Sequence, residues 1–162
     1  MLTEAPHVRI EMISQPRYLA GARSMIASIA QRLGFAEAAC GQIALAIDEA
    51  ICNVITHGYQ KRPDGRIWIS IWPISEPSPG IRILIEDEGK QVDPESIRSR
   101  DLGEIRPGGL GVHIIKHVMD SAEYTRRAKC GMALCMEKHI GSAKTAAVGA
   151  EGTNGTCCCG TG

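Results

Sequence analysis

Residues 43–59 read IALAIDEAICNVITHGY. Ile43, Ile47, Ala50, Ile51 and Val54 recur at spacings of three and four, which predicts an amphipathic helix running from about Ala36 to His57. Glu49 and Asn53 are four apart, so they lie about 40° from one another on the helix surface, away from the apolar positions. Asp48 lies roughly 100° from Glu49, so the acidic residues do not form a simple carboxylate pair. His57 reads as part of the helix end, with an acid or a ligand as the other readings. Cys52, next to Asn53, reads as a helix packing residue.

Working outward, Leu19, Ala22, Ile26, Ile29 and Leu33 form an earlier helix that stops at Gly34, where a C-cap glycine belongs. Val8, Ile10 and Met12 alternate with Arg9 and Glu11, the period of a strand with one buried face. Downstream, the turn signal Arg62-Pro63-Asp64-Gly65 precedes alternating Ile67, Ile69 and Ile71. The break Glu76–Gly80 precedes alternating Ile81, Ile83 and Ile85. These two runs read as antiparallel neighbours. Trp68 and Trp72 fall on the other face, to be covered by a partner or by the protein's own helices. A third helix is expected over about Leu110–Met119, followed by strands near Ala122–Arg127 and Met132–Lys138 around a turn at Lys129-Cys130-Gly131.

The order β-α-α-β-β-loop-α-β-β suggests one sheet covered on one side by helices. Residues 8–140 form the expected domain. Residues 141–162 collapse to Gly, Ala, Ser, Thr and Cys without an aromatic residue and read as disordered.

The 162 residues suit a single domain, and 18 basic against 18 acidic side chains give zero formal net charge. That balance argues against a general nucleic-acid binder, which carries a basic excess. No stretch approaches the roughly 18 uninterrupted apolar residues of a membrane span. No basic-then-apolar leader opens the chain, so a cytoplasmic location is expected. The seven cysteines, at 40, 52, 130, 135, 157, 158 and 159, include no C-x-x-C pair and read as free thiols in a reducing compartment.

Three stretches carry residue types suited to chemistry. A carboxylate and an amide on one helix face, Glu49 and Asn53, suit a general base beside a ligand for magnesium, which takes oxygen ligands and phosphate oxygens. Asp87-Glu88-Gly89 ends a strand, where a carboxylate beside a glycine suits an exocyclic amine such as that of adenine. Arg106-Pro107-Gly108-Gly109-Leu110-Gly111 opens a helix, where free backbone N–H groups and the helix dipole suit phosphate. Taken singly, each has a plainer reading: a solvated helix face, a strand-end turn, a glycine-rich helix start. Neither a P-loop nor a Rossmann glycine pattern occurs.

In this order and spacing the three stretches resemble the GHKL ATPases. The texture DEAICNVITHGY, IEDEG and RPGGLGVHIIKHVMD is similar to the bacterial anti-sigma regulatory serine/threonine kinases, over roughly residues 8–140. The resemblance implies an α/β two-layer sandwich, with a mixed, mainly antiparallel sheet covered on one face by three helices. ATP would be held between helices and sheet, beneath a lid from about Asp93 to Gly108. It implies Glu49 as general base, Asn53 as Mg2+ ligand, and Asp87 with Gly89 as readers of adenine. It implies Gly108, Gly109, Leu110 and Gly111 as the phosphate-closing segment, with Arg106 adding positive charge. Many relatives carry D-x-G-x-G, where this chain has Gln91, and a Gly-Thr entry to the last strand, where it has Gly131-Met132.

The implied activity is ATP-dependent phosphorylation of a serine or threonine on an anti-anti-sigma (STAS-type) protein, with sequestration of a sigma factor in the same partner-switching system. A homodimer is among the implied assemblies, with no direct nucleic-acid or membrane partner. Two other readings stay open: a nucleotide-gated binding module without catalysis, and a stand-alone ATPase domain of a two-component signalling system.

Overall fold

Two rows of isoleucine build the centre of the sheet. In β2 (Arg66–Ile74) and β3 (Gly80–Asp87), Ile69 pairs with Ile85 and Ile71 with Ile83, all on the helix-facing side. The computed structural model describes residues 4–97 and 110–142. β1 (Val8–Ile13) flanks β2, and β5 (Met132–His139) lies between β3 and β4 (Ser121–Arg126), giving the order β1-β2-β3-β5-β4. Each of these pairings is antiparallel, so among the described residues the sheet is antiparallel throughout rather than mixed.

Three helices cover one face: α1 (Leu19–Arg32), α2 (Glu37–Asn53) and α3 (Leu110–Val118), with α2 packed between the other two. Ile26, Ile43, Ile47, Ile51 and Ile115 are fully buried against the isoleucine rows, which is where the apolar stripe of each helix must go. α1 ends at Gly34, whose positive φ of 98° suits the expected glycine cap. α2 is shorter than its apolar period suggests. It stops as an α-helix at Asn53, and the chain continues through one π-helical turn, Val54–Gly58. Glu37–Gly58 has the length and hydropathy of a membrane span, and half of that window is buried within the fold.

The opposite face of the sheet carries Trp68 and Trp72, only 9% and 6% exposed. The helices lie on the other side and do not cover them. Instead the Arg127 guanidinium lies 5.1 Å from the Trp68 ring, and Trp72 Nε1 donates to the Glu4 carbonyl at 3.1 Å. Ion pairs Arg82–Glu137 (2.6 Å) and Arg127–Glu86 (3.2 Å) spread across the same face. On the core side, Lys138 continues the buried row Met132, Leu134, Met136. Its ammonium is satisfied by Asp120 Oδ1 at 3.2 Å and Ser142 Oγ at 2.9 Å. Cys40, Cys52, Cys130 and Cys135 are free thiols, as expected. The stretch 143–162 lies outside the described residues.

Candidate functional site

The periods that build the fold also bring two polar clusters onto one side of the sheet. On α2, Glu49 and Asn53 are half-buried and face the start of α3. There the chain has Gly111, and the fit shows why: a β-carbon at 111 would sit 2.5 Å from Glu49 Oε2 and 3.4 Å from Asn53 Nδ2. The missing side chain is what lets the α3 backbone approach the carboxylate and amide. Asn53 Nδ2 is buried without a hydrogen-bond partner, which is costly in an apolar helix and leaves the amide available to a bound group. Asp48 turns the other way, pairing with Arg23 at 2.6 Å and tying α1 to α2.

The second cluster stands at the end of β3. The row Ile81, Ile83, Ile85 continues into Asp87, so the strand's own period delivers a carboxylate to the helix side, 3% exposed and opposite Ile67. Burial pushes its pKa above the ordinary value. The N–H groups of Gly89 and Met132 and the charge of Arg127 act against that shift. Gly89 N–H donates to Asp87 Oδ1 at 2.7 Å. A β-carbon on Gly89 would lie 2.6 Å from the Gly58 carbonyl carbon and oxygen, so glycine is what seats this turn on the end of the π-helical turn that follows α2. Lys90 N–H donates to Gly58 O at 2.9 Å, and Glu88 N–H donates to the Tyr59 hydroxyl at 2.8 Å. Tyr59 in turn donates to the Arg66 carbonyl. Burial is the main cause that raises the Tyr59 phenol's pKa.

Of the residues expected at the site, Glu49, Asn53 and Gly111 are brought together, and Asp87 and Gly89 form the second group beside Gly58, at the end of the π-helical turn. Leu110 opens α3 and is 60% exposed. Arg106, Gly108 and Gly109 lie outside the described residues, as does the expected lid beyond Ile97. His57 is exposed on the π-helical turn. Cys52 is exposed as well, not a packing residue.

Sequence reasoning missed Tyr59 and Arg127. Arg127 Nη1 donates to the Asp87 carbonyl at 2.7 Å, a contact between distant strand ends that no local spacing announces. Gln91, which stands where the resembled pattern has glycine, donates through Nε2 to the Arg127 carbonyl at 2.6 Å.

Chemically, one end offers a carboxylate beside an unpartnered amide and the close-approaching start of a helix. The other offers a buried acceptor for an amine. That set suits a purine nucleotide: the unpartnered Asn53 Nδ2 is a donor for a phosphate oxygen, and a hard oxygen-seeking cation would take the Oδ1 of the same amide. Among the described residues no cluster of three or more His, Cys, Asp or Glu side chains is built to hold a metal by itself.

The chain matches the model of the histidine kinase-like ATPase domain over residues 12–138. It is 26% identical over 142 residues to the serine-protein kinase RsbW of Oceanobacillus iheyensis, covering 83% of this chain and 87% of that protein. Identity to the serine-protein kinase RsbW of Bacillus subtilis is 23%, over 86% of this chain and 89% of that one. For the protein of that name from Listeria monocytogenes it is 28%, over 86% and 91%. Among solved structures, the RsbU and RsbW domains of Rv1364c from Mycobacterium tuberculosis share the fold. The TM-score is 0.58 at 15% identity, covering 85% of this chain and 34% of that longer one.

Proposed function

The chain belongs to the histidine kinase-like ATPase domain family, and from that premise we propose that it is an ATP-dependent protein serine/threonine kinase acting as an anti-sigma factor. Its substrate is a serine or threonine of a STAS-type anti-anti-sigma protein, and its second partner is a sigma factor, released or held by partner switching. Similarity along most of the chain to proteins named serine-protein kinase supports the reaction class. The observation that carries the reading is the fit of Gly111 against Glu49 and the unpartnered Asn53 amide, in the same fold side as buried Asp87.

Phosphoryl transfer requires mainly positioning and charge neutralisation. Mg2+, when bound, supplies that neutralisation at the phosphates, and Asn53 is the residue that would hold it. Glu49 lies beside Asn53 and takes the proton from the attacking hydroxyl. The N-terminal turn of α3, free of a side chain at Gly111, presents backbone N–H groups to negative charge. Asp87 accepts a hydrogen bond from the base's amine. Arg106, Gly108 and Gly109 belong to the phosphate side of the same assignment, and the location is cytoplasmic.

The test is incubation of the protein with Mg-ATP and a STAS-type antagonist from the same genome, read as phosphoserine or phosphothreonine by mass spectrometry. Transfer is expected with the wild type and lost with Glu49→Ala. Transfer that survives Glu49→Ala removes Glu49 from the base role. Nucleotide binding with no phosphorylated antagonist overturns the kinase reading.

A further inference from the structure

Arg127 is placed where few single residues are: at a junction of β2, β3, the turn after β3 and the turn between β4 and β5. Its guanidinium lies 5.1 Å from the Trp68 ring, with Nε 3.2 Å from Glu86 Oε1 and Nη1 donating to the Asp87 carbonyl at 2.7 Å. Its own backbone takes part too. The N–H donates to Gly131 O at 3.2 Å, and the carbonyl accepts Gln91 Nε2 at 2.6 Å. Next to it, Arg126 Nε donates to Val92 O at 3.0 Å. The segment from Asp87 to Val92 is thus fastened along one side to the end of β4. Tyr59 and Gly58 hold its other side, through Glu88 N–H and Lys90 N–H.

We propose that Arg127 is a specificity-determining positioning residue: by fixing the main chain of Asp87 it makes the site select a 6-aminopurine over a 6-ketopurine. This rests on the reading of Asp87 as the residue that meets the base. A carboxylate oxygen accepts from an amine and repels a keto oxygen. The Gly89 N–H, a donor that would welcome a keto oxygen, is committed to Asp87 Oδ1 at 2.7 Å. The site stays selective as long as that turn does not rotate. The Asp87 carbonyl is the pivot of any such rotation, and Arg127 holds it with a planar fork stacked on Trp68 and braced by Glu86. An ammonium cannot bridge both oxygens in that way. Loosening the pivot frees Gly89 N–H for a keto oxygen and lets Asp87 swing from the amine.

The experiment measures affinities of the full chain for ATP and ITP by displacement of a ribose-labelled fluorescent ATP, whose base is unmodified. Wild type, Arg127→Met, Arg127→Lys and Asp87→Asn are compared. A general loss of stability scales both affinities together and leaves their ratio alone, so the ratio separates positioning from simple destabilisation. Arg127→Met is expected to lower the ATP:ITP preference about tenfold, the worth of one charge-assisted hydrogen bond. Should Arg127→Met fail to fold, Arg127→Lys keeps the positive charge without the planar guanidinium, and a fall of at least about threefold is expected there. Asp87→Asn, which adds a donor at the base, is expected to abolish the preference. A preference lost in Asp87→Asn but unchanged in both Arg127 variants overturns the proposal and spares the reading of Asp87. A preference unchanged in Asp87→Asn overturns that reading, and the proposal with it.

Discussion

Gly111→Ala separates folding from catalysis at this site more cleanly than removal of any functional group. Residue 111 lies in the first turn of α3 without a positive φ, so alanine fits the backbone. Its β-carbon would stand 2.5 Å from Glu49 Oε2 and 3.4 Å from Asn53 Nδ2. Contact requires about 3.5 Å, so the carboxylate must withdraw by about 1 Å. The obstacle is the far end of a flexible side chain, so withdrawal costs little in stability. Alanine in place of glycine in a helix contributes up to about 1 kcal/mol in favour of folding. For a domain of this size that is a rise in Tm of about 3 °C. On the proposed role of Glu49 as base, catalysis should respond in the opposite sense, since a base displaced by about 1 Å loses on the order of a hundredfold in rate, about 2.7 kcal/mol of barrier. Thermal unfolding of the nucleotide-free protein and single-turnover phosphorylation of the antagonist measure the two quantities. A transfer rate within about threefold of wild type would refute the placement of the Glu49 carboxylate against α3. A marked fall in Tm would show that Gly111 is needed for the fold and not for the site.

Asp87→Asn should stabilise the nucleotide-free protein while weakening ATP binding. Burial raises the folded pKa, so the ionised carboxylate costs stability at neutral pH. The variant's advantage in urea unfolding should therefore shrink as pH falls through that raised value towards 3.8. Gly89→Ala meets the Gly58 backbone at 2.6 Å, which cannot step aside as a side chain can. It should lose both stability and nucleotide affinity, seen by calorimetry and titration. At Asp120, burial acts to raise the pKa but is outweighed by Ser142, the His139 N–H and Lys138, so the folded value is lowered. Asp120→Asn leaves the Lys138 charge without its counter-ion and should cost about 3 kcal/mol at pH 7. That deficit should narrow as pH drops below 3.8, through the depressed folded pKa, where wild type loses the stabilisation of its ionised Asp120.

The strands were legible because isoleucine alternates in both central ones, and the same alternation carries Asp87 onto the helix side. Glu49, Asn53 and the α1 cap at Gly34 were legible from helical spacing and glycine placement. The π-helical turn Val54–Gly58 was not, since a period of three and four continues through Val54 whichever way the last turn winds. Nor was the covering of Trp68 readable, because alternation says which face a residue takes and not what lies across it. The arginine that covers it comes from the far end of β4. Lys138 left a signal that went unread: a charge at a core-facing position of a regular strand demands a buried partner, and Asp120 supplies one. At Gln91 the departure from a glycine pattern comes with a bond that glycine could not make, to the Arg127 carbonyl.

Two glycines, Gly89 and Gly111, serve the same need for close approach against α2 and its continuation, yet their surroundings differ in stiffness. Gly89 rests on the backbone of Gly58, with Lys90 N–H donating to the same residue's carbonyl at 2.9 Å. Gly111 rests on the end of the Glu49 side chain. The Asp87–Gly89 turn, the proposed base-reading end, is therefore set by main chain against main chain, fastened on one side by Arg127 and on the other by Tyr59. The proposed phosphate end is set by the Glu49 and Asn53 side chains against the first turn of α3. Such a division fits the chemistry proposed. Recognition of a flat base gains from a site already formed, because ordering it on binding would cost affinity. A carboxylate that must receive a proton during transfer gains from being able to follow the hydroxyl. Since both groups rest on one continuous helical segment, Glu37–Gly58, the proposed assignment has a nucleotide seated by its base at Asp87 brought into register with Glu49 and Asn53.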